Sequence, residues 1–294
     1  MNKGLLKGYG VRNVDKPPAL QQSNFSKLPN PRLAPFETRV VSDLNNSIFI
    51  SNSKAWVPLN GRAIISCGTF DGGSFRRPER IIAKHIIPKG VLLDRDTLVL
   101  TFGVNTDVIG LDPSYIYVRC GQVGGGTSNE LINTFSIVNP YGSDDSRIMC
   151  SIMYEGGTLY GSSTGEISQY KGMDFGPAVE ISLDADLEIS ISGEVGWNDA
   201  RSGVPVEHIG NYFVFNVPGR GYFYSGVIRA EGYDIPEYNG DFWISDANLN
   251  TFSVLAIGTP AGPSVGNVRI AGYGNMYTCY VELLSSNSQP PILY

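Results

Sequence analysis

The sequence predicts an all-β protein, a jelly-roll-like antiparallel β-sandwich with an extended N-terminal arm. Short apolar runs alternate with turn dipeptides such as Asn60-Gly61 and Asn239-Gly240. No segment keeps a helical period over about ten residues, and the chain is rich in Gly (35), Tyr (16) and Phe (13). Short strands without intervening helices build sandwiches and jelly rolls. The predicted strands are 47–51, 62–70, 80–88, 97–104, 115–121, 133–138, 147–154, 166–170, 179–192, 212–217, 222–229, 242–245, 251–257, 268–272 and 276–284.

Residues 1–43 are predicted to form the extended arm. Five prolines lie in the first 40 residues, and proline is excluded from helix interiors. These 40 residues carry seven Lys or Arg against two acidic residues, so their net charge is +5 and that of the remainder is −11. Scattered apolar side chains favour an arm that becomes ordered on a partner over a free tail. The predicted docking residues are Lys3, Lys7, Tyr9, Arg12, Lys16, Phe25, Arg32 and Phe36.

Residues 44–284 are predicted to form the sandwich body, and residues 285–294 a C-terminal tail. The acidic body argues against nucleic-acid binding, because phosphate repulsion would dominate. The basic arm fits either a nucleic acid or an acidic protein surface. Neither a signal peptide nor an apolar run long enough to span a membrane is present in this sequence. The cysteines, Cys67, Cys120, Cys150 and Cys279, are predicted to be buried free thiols, because each lies within an apolar run.

The segment from Val179 to Ser192 alternates apolar and polar residues without interruption. A period of two is typical of a strand with one dry face and one wet face. The pattern predicts that Asp184, Asp186 and Glu188 lie together in solvent. Such a face is either a solvated surface, a cation site or a pair of carboxylates for glycoside hydrolysis. The residues predicted to be buried opposite them are Ile181, Leu183, Leu187, Ile189 and Ile191.

Other signatures of catalysis or cofactor binding are weak. The glycine run at 121–126 lacks the ending and the following helix of a phosphate-binding loop. No nucleophile elbow of the G-x-S-x-G type occurs, and His85 and His208 have strand and loop surroundings typical of structural or surface histidines. With two histidines and no paired cysteines, a structural zinc site is not expected. The sequence therefore predicts a protein without enzymatic activity, cofactor or metal.

Several segments, in order, resemble the small jelly-roll domain of tailed-phage fibre, spike and virion-attachment proteins. They are IPKGVLLDRDTL at 87–98, YIYVRCG at 115–121, RIMCSIMY at 147–154, DANLNTFSVLA at 246–256 and YTCYVELL at 277–284. The resemblance departs at about 160–240, which indicates an insertion. It implies a non-enzymatic homotrimer on the virion, fixed to other virion proteins by its N-terminal arm.

The resemblance leaves three functions to weigh. A tail fibre or receptor-binding protein is favoured, and a capsid decoration or head-fibre protein with the same fold is the alternative. A polysaccharide-degrading tailspike is the third. Aromatic residues are concentrated between 197 and 243, and aromatic rings stack on sugars and dominate protein interfaces. The predicted contacts to a host glycan or protein are Trp197, Tyr222, Tyr224, Tyr233, Tyr238 and Trp243.

Overall fold

The computed structural model describes residues 21–287 apart from 35, 68, 71–73, 76, 107–113, 138–144, 164–170, 198, 219–225 and 273. The helical elements among these residues are three single-turn 3-10 helices, Phe25–Lys27, Gly126–Ser128 and Pro236–Tyr238. All the remaining regular structure described is strand, which confirms the predicted all-β class. The predicted C-terminal tail and the predicted strand at 166–170 fall largely or wholly outside the described residues.

The first described residues form a small four-stranded sheet rather than an extended arm. Its strands, in spatial order, are β1 (Gln22–Ser23), β2 (Thr38–Val41), β3 (Ser47–Ser51) and β4 (Trp56–Pro58). Apolar contacts explain the difference from the predicted arm over 1–43. Val41, Leu44 and Phe49 are fully buried, and Phe25 lies edge-on to Phe49 with 5.8 Å between ring centroids. Of the scattered apolar residues in the predicted arm, Phe25 and Leu28 therefore pack on this chain's own body, whereas Leu33 and Phe36 are exposed.

The chain then enters the body through twelve strands. They are β5 (Arg62–Cys67), β6 (Thr69–Phe70), β7 (Ser74–Phe75), β8 (Arg80–Ile87), β9 (Thr97–Thr106), β10 (Ser114–Gln122), β11 (Glu130–Ile137), β12 (Asp145–Glu155), β13 (Thr158–Ser163), β14 (Lys171–Phe175), β15 (Val179–Glu180) and β16 (Leu187–Glu194). Most of these were predicted from alternating or continuous apolar runs between turn residues.

A separate closed barrel follows β16. Its strands are β17 (Asp199–Ile209), β18 (Tyr212–Asn216), β19 (Val227–Glu231), β20 (Gly240–Ala247), β21 (Thr251–Leu255) and β22 (Ser264–Ala271), which close in the order β17-β18-β21-β20-β19-β22. The barrel has its own core, in which Phe213 lies edge-on to Tyr238 at 4.9 Å and to Phe242 at 5.8 Å. The insertion predicted at about 160–240 overlaps this barrel without sharing its bounds.

The last strand, β23 (Gly274–Leu284), returns to the body and completes a jelly roll. One sheet has the order β14-β11-β10-β16-β8-β6, and the other β15-β13-β12-β9-β23-β5, with β7 also paired to β23. Eight of these strands form two four-stranded sheets, β5-β23-β9-β12 and β8-β16-β10-β11, in the paired Greek-key order of a jelly roll. The predicted sandwich is confirmed, and the barrel is inserted between its last two strands.

The alternating segment 179–192 consists of β15, a turn and most of β16, and its polar side chains are exposed before β16 and buried within it. Leu187, Ile189 and Ile191 are buried as predicted, while Ile181 and Leu183 are half-buried at the edge of the core. The expected wet face over β16 is wrong, since the side chains of 187–193 are all buried. The helix Gly126–Ser128 covers the outer side of β16, and there Ser190 Oγ donates to the Gly126 carbonyl at 3.0 Å.

Candidate functional site

The predicted docking residues lie partly inside and partly outside the described part of the chain. Lys3, Lys7, Tyr9, Arg12 and Lys16 lie outside the described residues. Of the remaining three, Phe25 is half-buried against the core, whereas Arg32 and Phe36 are exposed.

The loop that carries Arg32 presents two large apolar side chains to solvent. Leu33 is 82% exposed and Phe36 is 70% exposed. Phe36 has a φ of 61°, which is uncommon for a residue with a bulky side chain, and its N–H donates to the Ser51 carbonyl at 3.0 Å. The hydrogen bond to β3 holds the backbone in this conformation while the ring remains outside the core.

Of the six predicted receptor-contact aromatics, Tyr222 and Tyr224 lie outside the described residues. Trp197, Tyr233 and Tyr238 are buried, which removes them as surface contacts. Their polar atoms explain why burial is tolerated: Tyr233 Oη donates to the Val204 carbonyl at 3.0 Å, and Tyr238 Oη to the Gly262 carbonyl at 2.8 Å. These tyrosines fill the barrel core, and burial raises the pKa of both hydroxyl groups.

Trp243 is exposed and belongs to a row of apolar side chains on the outer wall of the barrel. Strand register places Ile209 opposite Tyr212, Tyr212 opposite Leu255, and Ile244 opposite Val254, which sets Trp243 beside Leu255. The four side chains thus follow one line across β17, β18, β21 and β20. Their exposed fractions are 52% for Ile209, 42% for Tyr212, 64% for Leu255 and 46% for Trp243. We call these four residues the barrel row.

The three carboxylates predicted to share one face have different surroundings. Asp184 and Asp186 are exposed in the turn between β15 and β16, as predicted. Asp184 pairs with the Ser182 hydroxyl, and Asp186 Oδ1 accepts the Lys89 N–H at 2.8 Å. Glu188 is buried, contrary to its predicted exposure. The predicted common acidic face does not form, because Glu188 turns toward the glycine loop instead.

Glu188 holds the 121–129 loop through its carboxylate. Its Oε2 accepts the Gly124 N–H at 2.8 Å, and its Oε1 accepts the Gly126 N–H at 2.9 Å and Asn129 Nδ2 at 3.4 Å. Lys84 Nζ lies 3.7 Å from Oε2. The glycine run that resembles a phosphate loop thus donates its N–H groups to a side chain of this protein.

A groove of about 690 Å³ lies between this loop and the 179–187 segment. Its lining is mixed: Val123 and Ile181 are apolar, while Glu130, Glu180 and Asp186 are acidic. No pattern in the sequence indicates the groove, because it arises where two loops from different strands meet. Among the described residues, no cluster of three or more His, Cys, Asp or Glu side chains is placed to hold a metal ion.

A histidine–cysteine pair lies inside the sandwich. His85 Nε2 is 2.9 Å from Cys279 Sγ, and His85 Nδ1 is 2.8 Å from Ser66 Oγ. Such a trio resembles an activated nucleophile, but His85 and Cys279 are both buried between the two sheets, away from substrate. Burial lowers the His85 pKa to about 4. The cysteines Cys120, Cys150 and Cys279 are free and buried, as predicted, and burial raises the pKa of the Cys150 thiol to about 12.

Comparison with known proteins identifies no family. No protein-family model matches the chain, and no curated protein matches it. A solved structure, the CBM2 module of the evolved Dit of Lactobacillus casei BL23 phage J-1, is similar at 11% identity. The alignment covers 79% of this chain and 80% of that chain, with a TM-score of 0.21. At that TM-score, no conclusion about this chain follows from the likeness. Among the described residues, no helix is long and apolar enough to cross a membrane.

Proposed function

We propose that this chain is a non-enzymatic attachment protein of a tailed-phage virion, in which the barrel contacts the host surface. The barrel row is the observation that carries the proposal. Four large apolar side chains, Ile209, Tyr212, Leu255 and Trp243, lie side by side in solvent on neighbouring strands. Contiguous exposed apolar surface marks interaction sites, whereas isolated exposed apolar residues need no explanation.

The favoured ligand of the barrel row is a host-surface glycan. Tyr212 on β18 and Trp243 on β20 are separated by β21 alone, so their strands lie roughly 9.6 Å apart. That spacing is comparable with the length of a disaccharide, and the apolar face of a sugar ring stacks on an aromatic ring. A host protein that packs an apolar surface on the row is the second ligand class.

The jelly roll and the N-terminal sheet would then act as the scaffold on the particle. Leu33 and Phe36 are the exposed apolar residues that best fit a contact with another virion protein, and the basic residues of 1–20 would add charge to that contact. A homotrimer is part of this proposal and follows from the resemblance. A capsid decoration protein would use the same scaffold at a different place on the particle, and imaging of labelled virions distinguishes the two locations.

Replacing Tyr212 and Trp243 together with alanine is expected to weaken glycan binding by about tenfold or more, since interface aromatics contribute about 2 kcal/mol each when they are hot spots. The measurement is a titration of the full chain on an array of bacterial surface polysaccharides, followed by the dissociation constant for the best glycan. Tyr160→Ala is the matched control, because Tyr160 is a similarly exposed aromatic on the sandwich. Equal affinity of the double variant and the control would refute the barrel row as the binding surface.

The double substitution Leu33→Ser and Phe36→Ser is expected to reduce incorporation into particles by about thirtyfold or more, because each exposed apolar anchor lost from an interface costs about 1 to 2 kcal/mol. Incorporation is measured as the amount of this chain per purified virion. Ile257→Ser is the control, since Ile257 is equally exposed but lies after β21 in the barrel. Unchanged incorporation of the double variant would show that this loop is not the docking surface.

The tailspike alternative depends on the exposed carboxylates. If the chain degraded polysaccharide, Asp184→Asn or Asp186→Asn would abolish the release of oligosaccharide. The separation of Glu188 from the exposed pair in the turn supports the non-enzymatic proposal.

A further inference from the structure

A second concave surface lies on the barrel, on the wall formed by β17, β22 and β19. It encloses about 350 Å³, and three arginines line it: Arg201, Arg229 and Arg269. Ser202 and Asn267 add neutral polar side chains, and Glu231 is the acidic residue of the lining. This arginine pocket is separate from the barrel row, which lies on β17, β18, β21 and β20.

Two of the arginines face each other across neighbouring strands. Arg229 on β19 and Arg269 on β22 are directly opposite in the antiparallel register. Directly opposed side chains have Cβ atoms about 4.5 to 5.5 Å apart, and like charges in that position are destabilising. On its other side Arg269 is opposite Ala200, which carries no charge. The register therefore brings two guanidinium groups together at the pocket.

The carboxylates near the pocket are committed to Arg229. Its Nε lies 2.7 Å from Asp241 Oδ1 and its Nη2 2.8 Å from Asp241 Oδ2, and Glu231 Oε1 is 3.9 Å from the same Nε. The pKa of the Asp241 carboxyl is lowered by the Arg229 guanidinium. Among the described carboxylates, none forms an ion pair with Arg269. One guanidinium at the rim of the pocket is thus left for a ligand.

Arg229 is also fixed in orientation before any ligand binds. Its guanidinium lies 5.0 Å from the centroid of the Trp197 ring, and Arg77 lies 4.7 Å from the same ring. Arg77 is held in turn by a 3.1 Å ion pair with Glu194 and by the Val195 carbonyl, to which its Nε donates at 2.6 Å. A guanidinium already ordered by such contacts loses little conformational freedom when it binds a ligand.

We propose that the arginine pocket binds a tetrahedral oxyanion, a phosphate or sulfate group carried by an anionic polymer. Guanidinium groups match such oxyanions because they donate parallel N–H bonds in a planar fork. Arg269 supplies a guanidinium without a described carboxylate partner, and Arg229 supplies a second guanidinium that is already oriented. Asn267 and Ser202 supply neutral polar contacts. An oxyanion between Arg229 and Arg269 would accept N–H bonds from both guanidinium groups.

The test is isothermal titration of the full chain at low ionic strength with inorganic phosphate, sulfate and acetate in separate experiments. Phosphate or sulfate is expected to bind in the millimolar range, about −4 kcal/mol, and Arg269→Gln is expected to weaken that binding by about fivefold or more, in line with the loss of one charge-assisted contact. Acetate is expected to bind more weakly, because a carboxylate is planar and offers two oxygen atoms, whereas phosphate and sulfate offer a tetrahedral set of oxygen atoms. The matched control is Arg95→Gln, which removes an exposed arginine from the sandwich.

Titrations with polyphosphate and with dextran sulfate then distinguish the two polymer sources. Tighter binding of polyphosphate would identify the ligand as a phosphate polymer, and tighter binding of dextran sulfate would identify it as a sulfated polymer. Thermal melts of Arg269→Gln verify that the barrel is folded. The proposal is overturned if Arg269→Gln binds both oxyanions as the unmodified chain does, or if Arg95→Gln weakens binding equally, since the effect would then reflect net charge alone.

Discussion

Replacing Glu188 with alanine is expected to lower the free energy of unfolding by about 3 kcal/mol and to release the 121–129 loop. Hydrogen bonds to a charged group contribute about 1.5 to 3 kcal/mol each, and they are not additive when one carboxylate accepts several. Glu188 accepts bonds from Gly124, Gly126 and Asn129. Its removal leaves the buried Gly126 N–H without its acceptor. The free energy is measured by urea denaturation at neutral pH.

The same substitution should be visible at individual amides. Hydrogen exchange at Gly124 and Gly126 is expected to accelerate by about tenfold or more, because local opening no longer breaks bonds to a carboxylate. Glu180→Ala is the matched control, since Glu180 is exposed and lines the groove from the opposite side. Glu188→Gln keeps the side-chain shape and is expected to fall between the two. A change of less than about 1 kcal/mol for Glu188→Ala, the size of an ordinary neutral hydrogen bond, would show that the loop is held by its own backbone.

The importance of Glu188 also explains why the loop is rich in glycine. A Cβ atom at Gly121 or Gly125 would lie 2.3 Å or 2.1 Å from Asn129 Oδ1. The Asn129 side chain therefore needs glycine at both positions in order to donate to Glu188 and to the Gln122 carbonyl. The glycines of this loop are therefore a structural adaptation to a buried carboxylate. Because glycine lacks a side chain, they also leave the adjacent groove open.

The jelly roll was accessible from the sequence because its strands are bounded by strong local signals. The predicted strand 47–51 matches β3 to the residue, and the predicted start of β8 at residue 80 agrees with the structure. Strand β17 was missed, because Gly203 and Pro205 interrupt its pattern. The structure explains this exception: the register shifts between Arg201 and Val204, so a bulge accommodates the irregular segment.

Side-chain burial was harder to predict from the sequence than strand position. The period of two in 187–192 was interpreted as one dry and one wet face, since a single sequence does not reveal a second layer. The outer face of β16 is covered instead by 126–128 and by Glu79, to which the Ser192 hydroxyl donates. Polar residues on a strand indicate that their side chains form hydrogen bonds. The hydrogen-bond partner can be another protein group as well as water.

The predicted binding aromatics show the same limitation. Composition located them in the right region, but composition does not say which side of a strand faces a barrel interior. Tyr233 and Tyr238 lie in the connection between β19 and β20 and are buried in the barrel core, whereas Tyr212 and Trp243 lie on strands and face outward. For the strand residues, the side that faces the interior follows from closure of the barrel. The alternation in β18 does indicate which side of that strand faces the core, since Phe213 and Phe215 are buried and their neighbours are not.

Between pH 6.5 and pH 4 the protein is expected to lose about 3 kcal/mol of stability through His85 alone. The folded-state pKa is about 4, whereas the ordinary value is 6.5. As the pH falls below 6.5, the unfolded chain takes up a proton on this residue before the folded chain does, so acid favours unfolding. Each unit of difference corresponds to about 1.4 kcal/mol, and the loss is complete near the folded-state pKa. Above about pH 6.5 the contribution is constant.

The physical cause is the location of the imidazole between the sheets, where burial removes the solvation that a charge needs. Its ring nitrogens contact the Ser66 hydroxyl and the Cys279 thiol, which are neutral groups. Protonation would turn both nitrogens into donors in a site arranged for one donor and one acceptor. The histidine is therefore stable in the core as a neutral side chain, and acid converts it into a buried cation.

His85→Gln isolates this contribution, because glutamine keeps a donor and an acceptor and does not titrate. Urea denaturation of both proteins at pH 7, 5.5 and 4.5 should show the unmodified chain losing stability more steeply than the variant. Asp96, whose carboxyl pKa is raised by burial, acts in the opposite direction and is common to both, so the comparison cancels it. His208→Gln controls for the loss of a histidine elsewhere. Parallel slopes for the unmodified chain and His85→Gln would mean that water or a shifted strand relieves the buried charge, and the sandwich interior would then be more open than its packing indicates.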